Sequence, residues 1–118
     1  MKDKRALDIA LRYAAGGNAN QVRAEALRLL GRIGSDEPRA FSLIAETADK
    51  AFESGNYDLA LAASDALVSL GDPRGLAVLD QISQHTVISG RLKTRLSEYQ
   101  ELLRKSVAGT AGQGTQHP

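Results

Sequence analysis

Few residues in this 118-residue chain have side chains suited to chemistry. Histidine stands only at His85 and His117. Neither has a Cys, His, Asp or Glu three or four positions away, so no pair of metal ligands shares a helical face and a zinc site has little support. His85 reads more simply as a solvated linker residue. There is no cysteine, which excludes disulfides, thiolate catalysis and cysteine-based zinc sites. The acid pair Asp36-Glu37 could in principle move protons. Acids recur at segment boundaries, however, where turn and capping roles account for them. No loop has Asp or Asn at alternate positions with a closing Glu, as calcium needs. Gly16-Gly17 and the closing GTAGQG lack the strand–loop–lysine setting of a phosphate loop. Serines are plentiful, but no Ser–His–acid set can be named. No catalytic, cofactor or metal residue is nominated, and an intrinsic enzyme is not expected.

One pattern does recur. Asp3-Lys4-Arg5, Glu37-Pro38-Arg39 and Asp72-Pro73-Arg74 are acid-X-Arg triplets spaced 34 and 35 residues apart. Each opens a similar segment: RALDIALRYA, RAFSLIAETA and RGLAVLDQIS. A second alignment runs leftward from two glycines. VRAEALRLLGRIG, ending at Gly34, matches LALAASDALVSLG, ending at Gly71, with Val22 on Leu59, Ala26 on Ala63 and Leu30 on Leu67. Periods of this size mark stacked repeats, in which each unit buries its apolar face on the next.

The triplet itself has a mechanical reading. Gly71 can take positive φ and end a helix. Asp72 can accept hydrogen bonds from the free amides of the next turn. Pro73 suits a first helical position, where its missing N–H had no partner. Arg74 either bonds acidic or carbonyl groups of the neighbouring unit, forming a ladder along the stack, or is a solvated charge. Its recurrence at three sites favours the ladder.

The elements that hold these positions read as helices. Val22, Ala26, Leu29, Leu30 and Ile33 form a helical stripe, repeated by Leu59, Ala63, Ala66, Leu67 and Leu70. Phe41, Ile44, Ala45, Ala48 and Phe52 give the stripe of a returning helix. Leu92, Leu96, Tyr99 and Leu103 give that of a last one. The chain therefore divides into a helical-repeat domain over 1–106 and a disordered tail over 107–118. The domain holds a return helix (4–15), pairs over 20–53 and 57–84, and a final helix (89–106), about six helices in all. Gly16 to Asn20 and Ser54-Gly55-Asn56 are turns, and Ser83 to Ser89 is a polar link.

Composition sets outer bounds. The chain is 42% hydrophobic but only 4% aromatic, so its core is fine-grained and made of Ala and Leu. A formal charge of +1 gives no global field toward nucleic acid or membrane. No apolar run reaches the roughly 20 residues of a membrane span. The basic start carries Asp3, Asp8 and Arg12 through its apolar pattern, unlike a signal peptide. The chain reads as soluble, and cytoplasm and periplasm stay equally open.

At VRAEALRLLGRIG, EPRA and ALVSLGDPRGLAVL the chain resembles HEAT repeats, especially the short bacterial form related to phycobilin-lyase HEAT-like repeats. The resemblance covers roughly residues 3 to 104. It implies a right-handed α-α superhelix of antiparallel helix pairs that binds other proteins. One departure is Ala60, which stands where Arg23 would repeat. The stretch AFESGNYDLALAASDAL also looks like one tetratricopeptide repeat, a competing peptide-binding solenoid. The chain opens on a return helix and closes on a leading one, so it reads as the C-terminal piece of a longer protein. SGRLKTRLSEYQELLRKS is similar to the ends of membrane alanyl aminopeptidase-type zinc peptidases. With no HExxH here, none of that family's zinc or catalytic residues carries over.

The expected role is thus a non-catalytic interaction or scaffolding module, its partner being a protein or another domain of the same chain. In such stacks the return helices line the concave side. The exposed candidates there are Asp8, Arg12, Ser42, Glu46, Asp49, Asp80, Gln81 and Gln84, each of which, taken alone, reads more simply as a solvated polar residue. DNA is the contrasting partner. Arg23, Arg28 and Arg32, with Arg91, Lys93, Arg95, Arg104 and Lys105, supply cations. Glu25, Glu98 and Glu101 interrupt them, so nucleic acid is not the expected ligand.

Overall fold

A computed structural model describes residues 4–85 and 90–116. Among them are six α-helices and no strand: α1 (Lys4–Ala14), α2 (Asn20–Ile33), α3 (Pro38–Ser54), α4 (Tyr57–Leu70), α5 (Arg74–His85) and α6 (Gly90–Gln116). Asp3, His117 and residues 86–89 lie outside the described residues.

Local chemistry sets the helix ends. Gly55 and Gly71 take φ of 80° and 73°, the left-handed region open to glycine, and end α3 and α4. The Gly71 N–H turns back to the Leu67 and Val68 carbonyls at 3.2 and 3.1 Å. Gly34, aligned with Gly71, instead has φ of −98°. Its missing side chain serves a close approach: a Cβ there would sit 2.6 Å from the Ala40 Cβ and 2.7 Å from the Leu30 carbonyl oxygen.

The helices form two layers in a slab of 48 × 38 × 17 Å. In one layer α4 packs between α2 and α6. In the other, α3 touches both α1 and α5. Each of α1, α3 and α5 also packs on the helix that follows it. Among the described residues, α1 makes no close backbone approach to α5 or α6, nor α2 to α6.

The core lies between the layers. Leu27, Leu30, Ile44, Leu67, Leu79, Leu96 and Leu103 are its largest fully buried apolar side chains, each contributing about 1.5–3 kcal/mol through burial. The central helix α4 is buried on most of its circumference, at Leu59, Ala60, Ala62, Ala63, Ser64, Ala66, Leu67 and Leu70. Five of those eight are small, which lets neighbours approach closely. Gly31 of α2 lies so near α4 that a Cβ would meet the Ala66 Cα and carbonyl oxygen at 2.8 Å. The buried Ser64 hydroxyl donates to the Ala60 carbonyl at 2.9 Å, so its polarity is satisfied.

Two expectations are corrected. The stripe assigned to α2 is rotated: Leu27 and Gly31 are buried, whereas Val22 is 42% exposed. Burial follows the face against α4, which the repeat pattern alone did not resolve. The last helix also continues past Ser106 to Gln116, where a disordered tail over 107–118 was expected. Once the packed turns around Leu96 and Leu103 nucleate a helix, each further residue adds one hydrogen bond without a new nucleation cost. Val107, one residue past Ser106, is partly buried against the core.

Candidate interaction surface

The triplets Glu37-Pro38-Arg39 and Asp72-Pro73-Arg74 stand at the starts of α3 and α5. At the start of α3 the Arg39 N–H donates to Glu37 Oε1 at 3.3 Å, and Arg39 Nε donates to the same oxygen at 2.6 Å. The start of α5 repeats this. The Arg74 N–H donates to Asp72 Oδ1 at 2.9 Å, and Arg74 Nη2 to Asp72 Oδ2 at 2.6 Å. The acid therefore does two jobs: it caps the helix and holds the arginine two residues on. Pro38 is the first residue of α3 and Pro73 immediately precedes α5, positions where no donor is needed.

So held, each arginine reaches the preceding helix of its own layer. Arg39 Nη2 lies 3.8 Å from Asp8 Oδ1 on α1. The Arg74 guanidinium stacks 4.2 Å above the Phe41 ring on α3. The first contact is an exposed ion pair and worth little. The second contributes about 0.5–1 kcal/mol. Sequence reading posed neighbour against solvent for these arginines. Arg39 and Arg74 are each bound to their own acid and also reach a side chain of the preceding helix in the layer. At the third triplet Arg5 is exposed, and Asp3 lies outside the described residues.

The charges respond accordingly. Hydrogen bonding from Arg74 holds the Asp72 carboxyl below the usual carboxylate range, against a smaller opposing effect of burial. The bond from Arg39 to Glu37 and the Glu37 charge raise the Arg39 guanidinium above its ordinary value, with Asp8 adding a lesser share. Asp72 does the same for Arg74.

The nominated contact residues Asp8, Arg12, Ser42, Glu46, Asp49, Asp80, Gln81 and Gln84 are all exposed on α1, α3 and α5. Several are engaged locally. Glu46 accepts from Lys50 at 2.9 Å, Asp80 accepts from Gln100 of α6 at 3.1 Å, and Asp8 faces Arg39. The cations once weighed for DNA are also spoken for in part. Arg23 Nε donates to the Ala14 carbonyl and so closes the end of α1. Arg28 faces Asp65 at 3.8 Å, Arg95 lies over Tyr99, and Arg104 pairs with Glu101 at 2.7 Å. Among the described residues no three His, Asp or Glu side chains gather as a metal set, and no helix is long and apolar enough to cross a membrane.

A feature missed in the sequence lies at the α1–α2 end. Ile9, Tyr13 and Val22 are 48%, 45% and 42% exposed, three of the five large exposed apolar side chains among the described residues. They line one groove of about 450 Å³ with Leu29, Arg28 and Arg32. The available signal was α1 itself, apolar on more than one face.

No family model, curated protein or solved structure matches this chain.

Proposed function

We propose that the chain is a HEAT-like helical-repeat module that works by holding another protein, without chemistry of its own. The observation that carries this reading is the layer of α1, α3 and α5, side by side, with all eight nominated polar residues exposed on it. Two further features support stacked repeats. Helices pack within a unit and between successive units, and the acid-X-Arg joints at Arg39 and Arg74 share one construction. On this reading the two layers curve as a right-handed superhelix, with the return helices on its inner side. Such folds offer extended surfaces rather than enclosed pockets. The likeness of the closing stretch to zinc-peptidase tails would make the module an accessory domain of such an enzyme.

Site-specific photo-crosslinking tests the reading. Benzoylphenylalanine is placed in cells at Ser42 or Gln81 on the return-helix layer, and at Ser97 on α6 as a reference. Adducts to one common polypeptide from Ser42 and Gln81, and not from Ser97, are expected. Adducts no stronger than those at Ser97 refute it.

A further inference from the structure

A second cavity, of about 470 Å³, lies between the α1–α2 turn and the α3–α4 hairpin. Thr47, in its wall, is 4% exposed. A helical hydroxyl commonly donates to the carbonyl four residues back. Ser64 and Thr94 do so, to Ala60 and Gly90, at 2.9 Å each. Thr47 does not: among the described residues its hydroxyl has no hydrogen-bond partner. Every side-chain polar atom sealed from solvent among those residues does have one. The Thr47 hydroxyl is therefore not sealed, and its opening is onto the cavity.

The groups around it are unequally satisfied. The backbone carbonyls at the helix ends are taken. Ala14 accepts from Arg23 Nε at 3.1 Å, and Ala15 accepts from the Asn18 side chain at 3.2 Å. The Ala51 carbonyl accepts from the Asn56 N–H at 2.8 Å and from the Ser54 hydroxyl at 3.3 Å. Donors are left over. Arg23 is half-buried in the wall, and among the described residues only its Nε is bonded, which leaves both Nη groups. Asn56 stands at the N-cap of α4, yet its side chain makes no capping bond. Glu46 and Lys50 also line the cavity, but they pair with each other at 2.9 Å, and their side chains are 63% and 71% exposed. Their charges cancel at the mouth. Arg23 is then the one unbalanced charge among the lining residues.

We propose that this cavity binds a small organic monocarboxylate with a short aliphatic body. The carboxylate accepts from the free Arg23 Nη groups, whose planar fork matches two oxygens, and from Thr47 and Asn56. The carbon chain lies against Leu43 and Leu59, the apolar part of the wall. One unbalanced cation suits a single negative charge. A phosphate dianion would leave a charge over and be repelled by Glu46. The inference depends neither on the HEAT-like reading nor on a protein partner.

Titration of the full chain with sodium butyrate, followed by heteronuclear NMR at constant ionic strength, tests it. Butyrate should saturate with Kd on the order of 1 mM, as fits so few non-hydrogen atoms, and should move the Gly16 and Thr47 amides and the Asn56 side-chain amide. Butyramide has the same shape without the charge and should bind at least ~10-fold more weakly, as should inorganic phosphate. Thr47→Val exchanges the hydroxyl for a methyl group of equal size. It should weaken butyrate about 5–10-fold while the melting temperature of the free protein holds or rises, since an unpaired hydroxyl is removed. No saturable shift by about 50 mM butyrate overturns the inference and leaves a cavity filled by water alone. Butyramide or phosphate binding as tightly as butyrate overturns it too, as does unchanged butyrate affinity in Thr47→Val. A lowered melting temperature in that variant also counts against it, because the hydroxyl would then already be bonded within the protein. The crosslinking result at Ser42 and Gln81 is independent of each of these.

Discussion

Gly31→Ala is the sharpest test of how the two central helices meet. The substitution adds one methyl group where α2 crosses α4. A Cβ at this position would lie 2.8 Å from both the Cα and the carbonyl oxygen of Ala66, and 3.1 Å from the Ser69 Cβ. Two of those three atoms are backbone, so no side chain can rotate away, and the helices must move apart. Two effects oppose each other. Alanine favours a helix interior over glycine by about 1 kcal/mol. Overpacking a tight contact costs about 1–3 kcal/mol, and backbone atoms place this site toward the upper end. The net expectation is a loss of about 1–2 kcal/mol, or a melting temperature lower by about 4–8 °C in a domain of this length. Thermal and urea unfolding followed by circular dichroism at 222 nm would measure it. Gly16→Ala is the control, since nothing lies within 4 Å of a Cβ there. A Gly31→Ala protein that melts at or above the wild type would refute the close crossing.

Three other outcomes are expected. Asp72→Asn removes a carboxylate whose folded-state value lies below its ordinary one, so its contribution is complete above about pH 4 and fades as pH falls through the folded value. Wild type should therefore exceed the variant by about 0.5–1 kcal/mol at pH 7, and the two urea midpoints should converge as pH falls through the folded value; a gap constant with pH would count against the joint. Gly71→Ala places a side chain at φ of 73° and should cost about 1–2 kcal/mol, whereas Gly71→Asn should cost less, as asynchronous urea midpoints would show. A double-mutant cycle of Arg74→Gln with Phe41→Leu should give a coupling of about 0.5 kcal/mol, and a coupling of zero would remove the stacking contact.

The parts of this molecule that local chemistry decides were readable in the chain. Asp72 and Gly71 act where their positions implied, because a cap and a left-handed turn each depend on a few adjacent residues. The all-helical class followed from the apolar spacing. What could not be read depends on which helix lies against which. Val22 and Leu59 look alike in an alignment, yet one is exposed and the other buried, because α2 covers only the second. Gly34 and Gly71 also align, but one answers to the neighbouring Ala40 and the other to its own φ. The span from Val107 to Gln116 is helical against its composition, since Gly, Thr and Gln there carry no apolar stripe.

The polarity of α6 has a consequence for anyone who would lengthen the molecule. An added hairpin after residue 108 would confront Lys93, Ser97, Glu101 and Arg104, and these would have to be repainted with alanine and leucine before it could adhere. At the α1–α2 end Ile9, Tyr13 and Val22 already offer apolar surface, shared with Glu25, Arg28 and Arg32. Growth of this slab, by gene duplication or by an engineer's hand, has a direction.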